Sequence, residues 1–173
     1  MKKLLFILLV IFATAFAVPA QKKSAASSDS SAAVRAAFDR LVDGIKQIDA
    51  DKTMAAYDKS DRLLIFNNNG TATIGWDNVH SNVTSLYAKL ANVTLDITGL
   101  RVEMLGPSNA YVSCKWKQTQ ENDGKLEDAS GRMTLIYRKV GKDWKIIHRH
   151  TSPDLPGPNR PVFDSERQPA DNP

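Results

Sequence analysis

Residues 131–152 carry the stretch that decides the predicted fold, GRMTLIYRKVGKDWKIIHRHTS. Apolar and polar residues alternate on both sides of Gly141-Lys142, which is typical of two antiparallel strands joined by a tight turn. Large apolar side chains such as Tyr137 and Ile146 recur at alternate positions, so one face of each strand is expected to be buried. The sequence therefore predicts that a β-hairpin with one apolar face closes the fold.

The length of the loop decides which side chains of the second strand face the interior. A two-residue loop puts Leu135 opposite His148 and Met133 opposite His150, on the same apolar face as Trp144. A three-residue loop would move every pairing by one residue and place polar side chains opposite both histidines. Burial favours the two-residue loop, because a slip of one residue exchanges the two faces of a strand. Both imidazoles are therefore expected to point inward.

Three helices are predicted before this hairpin. Apolar residues spaced by three or four positions form one stripe over 31–49 and another over 75–90, which is the spacing of a single helix face. A shorter helix is predicted over 52–59, and residues 21–30, rich in Lys, Ser and Ala, are expected to form a flexible spacer. The first stripe consists of Val34, Phe38, Leu41, Ile45 and Ile48.

The remaining segments read as strands, over 63–67, 71–74, 93–104 and 111–120, with an irregularity expected at Gly99. Helices in the N-terminal half followed by a run of strands indicate an α+β fold. We expect a curved antiparallel sheet wrapped around about three helices. Because three helices cannot cover the whole concave face of such a sheet, an internal pocket is expected between the two layers.

Two motifs make a family resemblance specific. The pattern Trp144-x-Ile-x-His-x-His-x-Ser152 resembles the last hairpin of SnoaL-like proteins in the nuclear transport factor 2-like superfamily. It is also similar to the association domain of calcium/calmodulin-dependent kinase II, and Gly75-Trp76-Asp77 is similar to a weaker signature of the family. The resemblance covers 31–152 and implies a cone-shaped fold, frequent dimers, and functions from isomerases, dehydratases and epoxide hydrolases to binding and assembly.

The N-terminal residues of the chain predict export. Residues 1–20 have Lys2 and Lys3 before an apolar run and small residues after it, which is typical of a cleaved signal peptide. Its removal would lower the formal net charge from +4 to about +2. We therefore expect a periplasmic or extracellular protein without stable membrane association, and the absence of a basic stripe argues against nucleic acid as a partner. Residues 153–173 are rich in proline and are expected to be a disordered tail.

The candidate site is expected beneath the helices. His148 and His150 could transfer protons or hydrogen-bond a ligand, since an imidazole titrates near neutral pH. Asp61 is a weaker candidate for a base. Since His80 is the only other histidine and no acidic motif completes a ligand set, neither a metal nor a cofactor is expected. The other predicted cavity residues are Tyr57, Asn67, Trp76, Tyr87, Trp116 and Gln118.

Three functions stay open at this point. The first is binding of a small apolar or carboxylate-bearing molecule without established catalysis, because no match to the acid pairs of the isomerase and hydrolase branches is seen. The second is a ketosteroid-isomerase-like or dehydratase-like enzyme that uses His148 or Asp61. The third is a structural assembly module. A homodimer through the outer face of the sheet is expected, and Cys114, the only cysteine, is expected to be a buried thiol and not a nucleophile.

Overall fold

The computed structural model describes residues 22–154, where three helices precede or interrupt six strands. The helices are α1 (Lys22–Lys46), α2 (Ala50–Met54) and α3 (Trp76–Tyr87). The strands are β1 (Leu64–Phe66), β2 (Ala72–Ile74), β3 (Leu90–Met104), β4 (Asn109–Asn122), β5 (Lys125–Val140) and β6 (Asp143–Pro153). The predicted α+β class is confirmed. The predicted signal peptide and all but the first two residues of the predicted tail lie outside the described residues.

The six strands form one curved, unclosed sheet in the order β2-β1-β6-β5-β4-β3. Every neighbouring pair is antiparallel except β1 and β6, which run parallel. The predicted antiparallel sheet is formed at every junction but this one, where the short β1–β2 hairpin adds to the free edge of β6 in the same direction as that strand. This addition widens the concave face on which the helices pack.

The core lies between α1 and the concave face of the sheet. Val34, Phe38 and Leu41 from the predicted stripe are almost fully buried, as are Leu135 and Tyr137 on β5. Each large apolar side chain withdrawn from water in this way contributes about 1.5–3 kcal/mol. Within residues 22–154, no helix combines the length and the apolar character needed to cross a membrane.

The helix boundaries differ from the prediction at both ends of α1. The helix begins at Lys22, so the segment predicted as a flexible spacer is helical from that residue onward. It ends at Lys46 because Ile48, expected in its apolar stripe, has a φ of 55°, which an α-helix cannot accommodate. Asp49 then caps α2 by accepting a hydrogen bond from the backbone N–H of Lys52 at 2.8 Å.

The two later helices are shorter than predicted. Since α2 ends at Met54, Tyr57 is not helical and instead forms a parallel bridge with Ile146 on β6. α3 ends at Tyr87, and the chain enters β3 at Leu90. The irregularity expected at Gly99 is confirmed, because the pairing of β3 with β4 shifts between Thr98 and Arg101, and Gly99 has a φ of 59°.

Candidate functional site

A cavity of about 450 Å³ lies between the concave face of the sheet and the helices. This volume is within the roughly 300–1,000 Å³ range of small-molecule pockets. One part of its wall is apolar, and this part includes Ile45, Ile65, Val83, Leu95, Trp116 and Met133. The other part is polar, and it includes Asn67, Asn69, Thr73, Asn82, Gln118 and Arg149. The cavity is therefore suited to a molecule with an apolar body and at least one polar group.

The register of the closing hairpin decides which side chains of β6 enter this cavity. Val140 pairs with Asp143 and Tyr137 with Ile146, so the predicted two-residue loop at Gly141-Lys142 is confirmed. The pairing then shifts by one residue, and Ile136 lies opposite His148. This shift is a β-bulge at Ile147, which inserts one unpaired residue into β6. Every side chain beyond the bulge points to the opposite face from the one that strict alternation predicts.

The predicted inward orientation of His148 and His150 is therefore wrong. Neither histidine lines the cavity, and Arg149 does so instead. Arg149 pairs with Leu135, which is fully buried on the inner face. His150 pairs with Thr134 on the outer face and is exposed. The expected alternative register, in which Thr134 faces His148, is not formed either.

The bulge coincides with a change in what lies beside β6. Up to Ile146 the neighbour is the loop after α2, since the backbone of Ile146 bonds to Ala56 and Asp58 at 2.9 Å each. From His148 onward the neighbour is β1, with Leu64 paired to His148. The unpaired Ile147 lies between these two partners. We infer that it lets β6 bend from one neighbour to the other, since a bulged strand bends locally.

Arg149 enters the cavity without a counter-charge. Its Nη1 donates to the hydroxyl oxygen of Tyr57 at 3.0 Å, and its Nη2 donates to Oδ1 of Asn67 at 3.4 Å. Its Nε is buried and has no hydrogen-bond partner among the residues that the structure describes. Among residues 22–154, Arg149 takes part in no ion pair. A guanidinium has five N–H donors and stays charged, so the site leaves donor capacity and a positive charge for a ligand.

The two histidines belong to a different cluster, on the outer face. Nδ1 of His148 lies 3.0 Å from the carbonyl oxygen of Leu64, and because a carbonyl only accepts, Nδ1 is the protonated nitrogen. The ring of Phe66 makes edge contacts with His148 and His150, with centroid distances of 5.6 and 5.7 Å. This cluster is separated from the cavity by the sheet itself.

A hydrogen bond between two hydroxyl groups joins α2 to α3 beside the cavity. The hydroxyl oxygens of Thr53 on α2 and Tyr87 on α3 lie 3.2 Å apart, and both residues line the cavity. Burial raises the pKa of Tyr87 above its ordinary value, although the hydrogen bond with Thr53 acts in the opposite direction. Tyr87 therefore stays neutral at physiological pH, where it can donate or accept a hydrogen bond but does not supply a charge.

Four of the other predicted residues line the cavity, namely Asn67, Tyr87, Trp116 and Gln118. Tyr57 does not line the cavity, but its hydroxyl oxygen accepts the hydrogen bond from Arg149 and so helps to position the guanidinium. Trp116 packs over Gly131, where a Cβ would meet its ring at 3.1 Å. The indole Nε1 of Trp116 is buried and has no hydrogen-bond partner within residues 22–154.

Trp76 and Asp61 do not reach this cavity. The indole of Trp76 is stacked on His80 at 4.8 Å, has Lys59 over the ring at 4.9 Å, and donates from Nε1 to the carbonyl of Met54 at 3.3 Å. Through these contacts Trp76 connects α3 with α2, which is a structural role. Asp61 is exposed and, with Trp76, lines a separate surface depression.

Cys114 and the acidic residues give no sign of a nucleophile or a metal site. Burial raises the pKa of the Cys114 thiol to about 11, so the thiolate is scarce at neutral pH. Its predicted burial is confirmed. In the part of the chain that the structure describes, no three residues of the types His, Cys, Asp and Glu come together as metal ligands would.

Sequence reasoning missed several cavity residues, above all Arg149. The other polar ones are Thr53, Asn68, Asn69, Thr71, Thr73, Asn82 and Thr151. One signal for Arg149 was present, because the adjacent isoleucines 146 and 147 break the alternation of apolar and polar residues. Two neighbouring apolar residues in a half-buried strand indicate either a bulge or an apolar residue on the outer face.

Comparison with known proteins places these features in a family. Residues 34–156 match the sequence profile described as the SnoaL-like domain. Among curated proteins, none shows significant sequence similarity to this chain.

Solved structures share the fold at low sequence identity. A nuclear transport factor 2 (NTF2-like) superfamily protein from Salmonella enterica serovar Typhimurium is 18% identical with a TM-score of 0.67, over 81% of this chain and 99% of that one. A candidate scytalone dehydratase from Novosphingobium aromaticivorans is 10% identical with a TM-score of 0.69, over 76% and 89% of the two chains. A ketosteroid isomerase-like protein from Erwinia carotovora atroseptica is 19% identical with a TM-score of 0.63, over 74% and 98%. These likenesses establish the fold alone.

Proposed function

Because the chain belongs to the SnoaL-like domain family and its cavity contains a guanidinium that forms no ion pair with the described residues, we propose that it binds a small molecule with an apolar body and a carboxylate. The observation that carries the proposal is Arg149, which faces the cavity with two hydrogen bonds and no ion pair among the described residues. A partly buried charge without a counter-charge is costly, and a carboxylate is the anion whose geometry matches a guanidinium.

The composition of the cavity wall favours binding over acid–base catalysis. Among the described residues that line the cavity there is no carboxylate and no imidazole, and the only ionisable groups are Arg149 and Tyr87. A guanidinium does not lose its proton at neutral pH, and burial raises the pKa of Tyr87 above its ordinary value. The isomerase-like or dehydratase-like alternative relied on His148 or Asp61, and both lie outside the cavity.

The open volume also favours binding over a purely structural role. An assembly module would be expected to fill this space with its large side chains, yet Trp116 and Tyr87 line a cavity that remains about 450 Å³ in volume. Export to the periplasm or beyond, and a homodimer through the outer face of the sheet, stay predictions.

The test measures binding of octanoate and of its uncharged analogue octanamide by isothermal titration calorimetry. A charge-assisted hydrogen bond contributes about 1.5–3 kcal/mol, so we expect the wild-type chain to favour the carboxylate roughly tenfold to a hundredfold. Arg149→Met should remove this preference, and Arg149→Lys should retain part of it because a positive charge remains.

The matched control is His150→Ala, on the same strand but on the outer face, which should leave both affinities unchanged. Equal affinities of the wild-type chain for octanoate and octanamide would contradict the proposal. So would an undiminished preference in Arg149→Met.

A further inference from the structure

A row of amide side chains continues the inner face of β4 beyond Trp116. Nε2 of Gln118 donates to Oε1 of Gln120, and Nε2 of Gln120 donates to a carboxylate oxygen of Glu127 at 2.9 Å. Nδ2 of Asn122 donates to the other carboxylate oxygen at 3.1 Å. These residues connect the exposed Glu127 with Gln118, which lines the cavity.

The carboxylate at one end fixes the direction of every amide in this row. An ionised carboxylate only accepts hydrogen bonds, so Gln120 must turn its amide nitrogen toward Glu127. The carbonyl oxygen of Gln120 then faces Gln118, which must in turn present its own nitrogen. The hydrogen bonds from Gln120 and Asn122 lower the pKa of Glu127, which keeps the carboxylate ionised at neutral pH.

Because the amide nitrogen of Gln118 donates to Gln120, its carbonyl oxygen is the amide atom that is left for a further hydrogen bond. Gln118 is half-buried, and Oε1 has no hydrogen-bond partner among residues 22–154. Half-buried polar groups of this kind are normally paired with protein, water or a ligand. A carbonyl oxygen can be paired only by a donor, so the ligand group that fits here is a hydroxyl or an N–H.

Gln118 lies far from Arg149 along the cavity. Arg149 pairs with Leu135 on β5, and Leu135 pairs in turn with Val112 on β4. Val112 therefore marks the position on β4 that lies directly across the sheet from Arg149. From Val112 to Gln118 the strand advances six residues, which corresponds to about 20 Å at 3.3 Å per residue. Since both side chains reach into the same cavity, a ligand that contacts both must be elongated.

We propose that Glu127, acting through Gln120, orients Gln118 so that the site selects elongated carboxylates with a hydrogen-bond donor at the far end, such as ω-hydroxy carboxylates. This inference rests on the proposed function, because Arg149 must hold the carboxylate. Glu127 and Gln120 are positioning residues here, and of the three residues Gln118, Gln120 and Glu127 only Gln118 contacts the ligand.

The experiment compares three series of probes, from hexanoate to dodecanoate: the plain alkanoates, the ω-hydroxyalkanoates and the ω-methoxyalkanoates. The methoxy oxygen can accept but not donate, so it isolates the donor requirement. A neutral hydrogen bond contributes about 0.5–1.5 kcal/mol, and we therefore expect the hydroxy compound of the best length to bind roughly twofold to tenfold more tightly than its methoxy analogue.

Two variants test the positioning argument. In Glu127→Gln the end group can donate as well as accept, so the amides of Gln120 and Gln118 can be satisfied in either orientation. The ratio of the affinities for the hydroxy and methoxy compounds should therefore fall toward one. Affinity for the plain alkanoates should not change, because Glu127 is exposed and does not line the cavity. Gln118→Leu should abolish the preference while the dependence on Arg149 remains.

Asp128→Asn is the matched control. It makes the same change of charge one residue away, where the carboxylate accepts from Thr119 at 2.7 Å and takes no part in the row. Equal binding of hydroxy and methoxy compounds at every length, with octanoate still favoured over octanamide, would overturn this inference and leave the proposed function standing. An unchanged preference in Glu127→Gln would also overturn it. Failure of every carboxylate to bind would overturn both.

Discussion

Replacing Tyr137 with Phe should stabilise the protein, which is unusual for a substitution in the centre of a core. Tyr137 is 0% exposed, and its hydroxyl oxygen has no hydrogen-bond partner among the described residues. Burial of a hydroxyl without a partner costs about 1–3 kcal/mol. The oxygen also makes packing contacts that Phe loses, so we expect a net gain in the free energy of unfolding of about 1 kcal/mol. This corresponds to a rise in Tm of roughly 3–5 °C for a domain of this size.

The pH dependence distinguishes this cause from a general improvement in packing. Burial raises the pKa of Tyr137 well above its ordinary value of 10.0. Below the unfolded pKa both states are neutral, so the gain from Tyr137→Phe should be constant. As the pH rises above about 10, the unfolded tyrosine ionises and the folded one does not, and the wild-type chain loses up to about 1.4 kcal/mol per pH unit relative to the variant.

Urea unfolding of the wild type and variant, followed by circular dichroism at neutral and alkaline pH, measures both effects. Tyr57→Phe provides the contrast, because its oxygen accepts from Arg149 at 3.0 Å and its loss should destabilise the fold by about 1–3 kcal/mol. Tyr111→Phe, on the outer face, should be close to neutral. The reasoning would be refuted if Tyr137→Phe lowered the free energy of unfolding at neutral pH, or if the difference from the wild type did not grow in alkali.

Two further predictions concern the strands beneath the cavity. Gly131→Ala should cost about 1–3 kcal/mol in urea unfolding, because its Cβ would overlap the carbonyl oxygen of Ser152 and press on Trp116, whereas Ser130→Ala should be within about 0.5 kcal/mol of wild type. Burial raises the pKa of Cys114 to about 11 from 9.0, so its contribution to stability is complete below about pH 9 and is lost as the pH rises toward 11. Cys114→Ala should reduce that alkaline loss, and a thiol reagent should modify the native chain far more slowly than the unfolded one; rapid native modification would contradict the burial.

The periodicity of the sequence is sufficient to predict the layers of this fold. The stripe that begins at Val34 and the alternation around Tyr137 each bury one face, and this fixes the helices against the concave side of the sheet. The two-residue loop at Gly141-Lys142 also follows from this logic, because it is the loop that buries Tyr137 and Ile146 together. These features depend on local spacing, which a single sequence contains.

The features that the sequence did not predict depend on contacts between distant segments. The bulge at Ile147 lies where the neighbour of β6 changes from the loop after α2 to β1, and both partners come from about ninety residues earlier in the chain. The same limit applies to Trp76, which was predicted to line the pocket. Lys59 and His80 pack against its ring, and its indole N–H donates a hydrogen bond to the carbonyl oxygen of Met54. Neither arrangement is encoded in the spacing of neighbouring residues.

The single residue inserted at Ile147 changes the chemistry available to the cavity. Without the bulge, the two imidazoles of His148 and His150 would face the ligand, and imidazole is the side chain that most often serves as a general acid or base. With the bulge, one guanidinium faces it, and a guanidinium holds its proton at every physiological pH. Such a group can bind and orient an anion but cannot serve as the base of a catalytic cycle. The bulge therefore favours the proposed binding of an anion over proton transfer, and that proposal depends on the position of one unpaired residue in the closing strand.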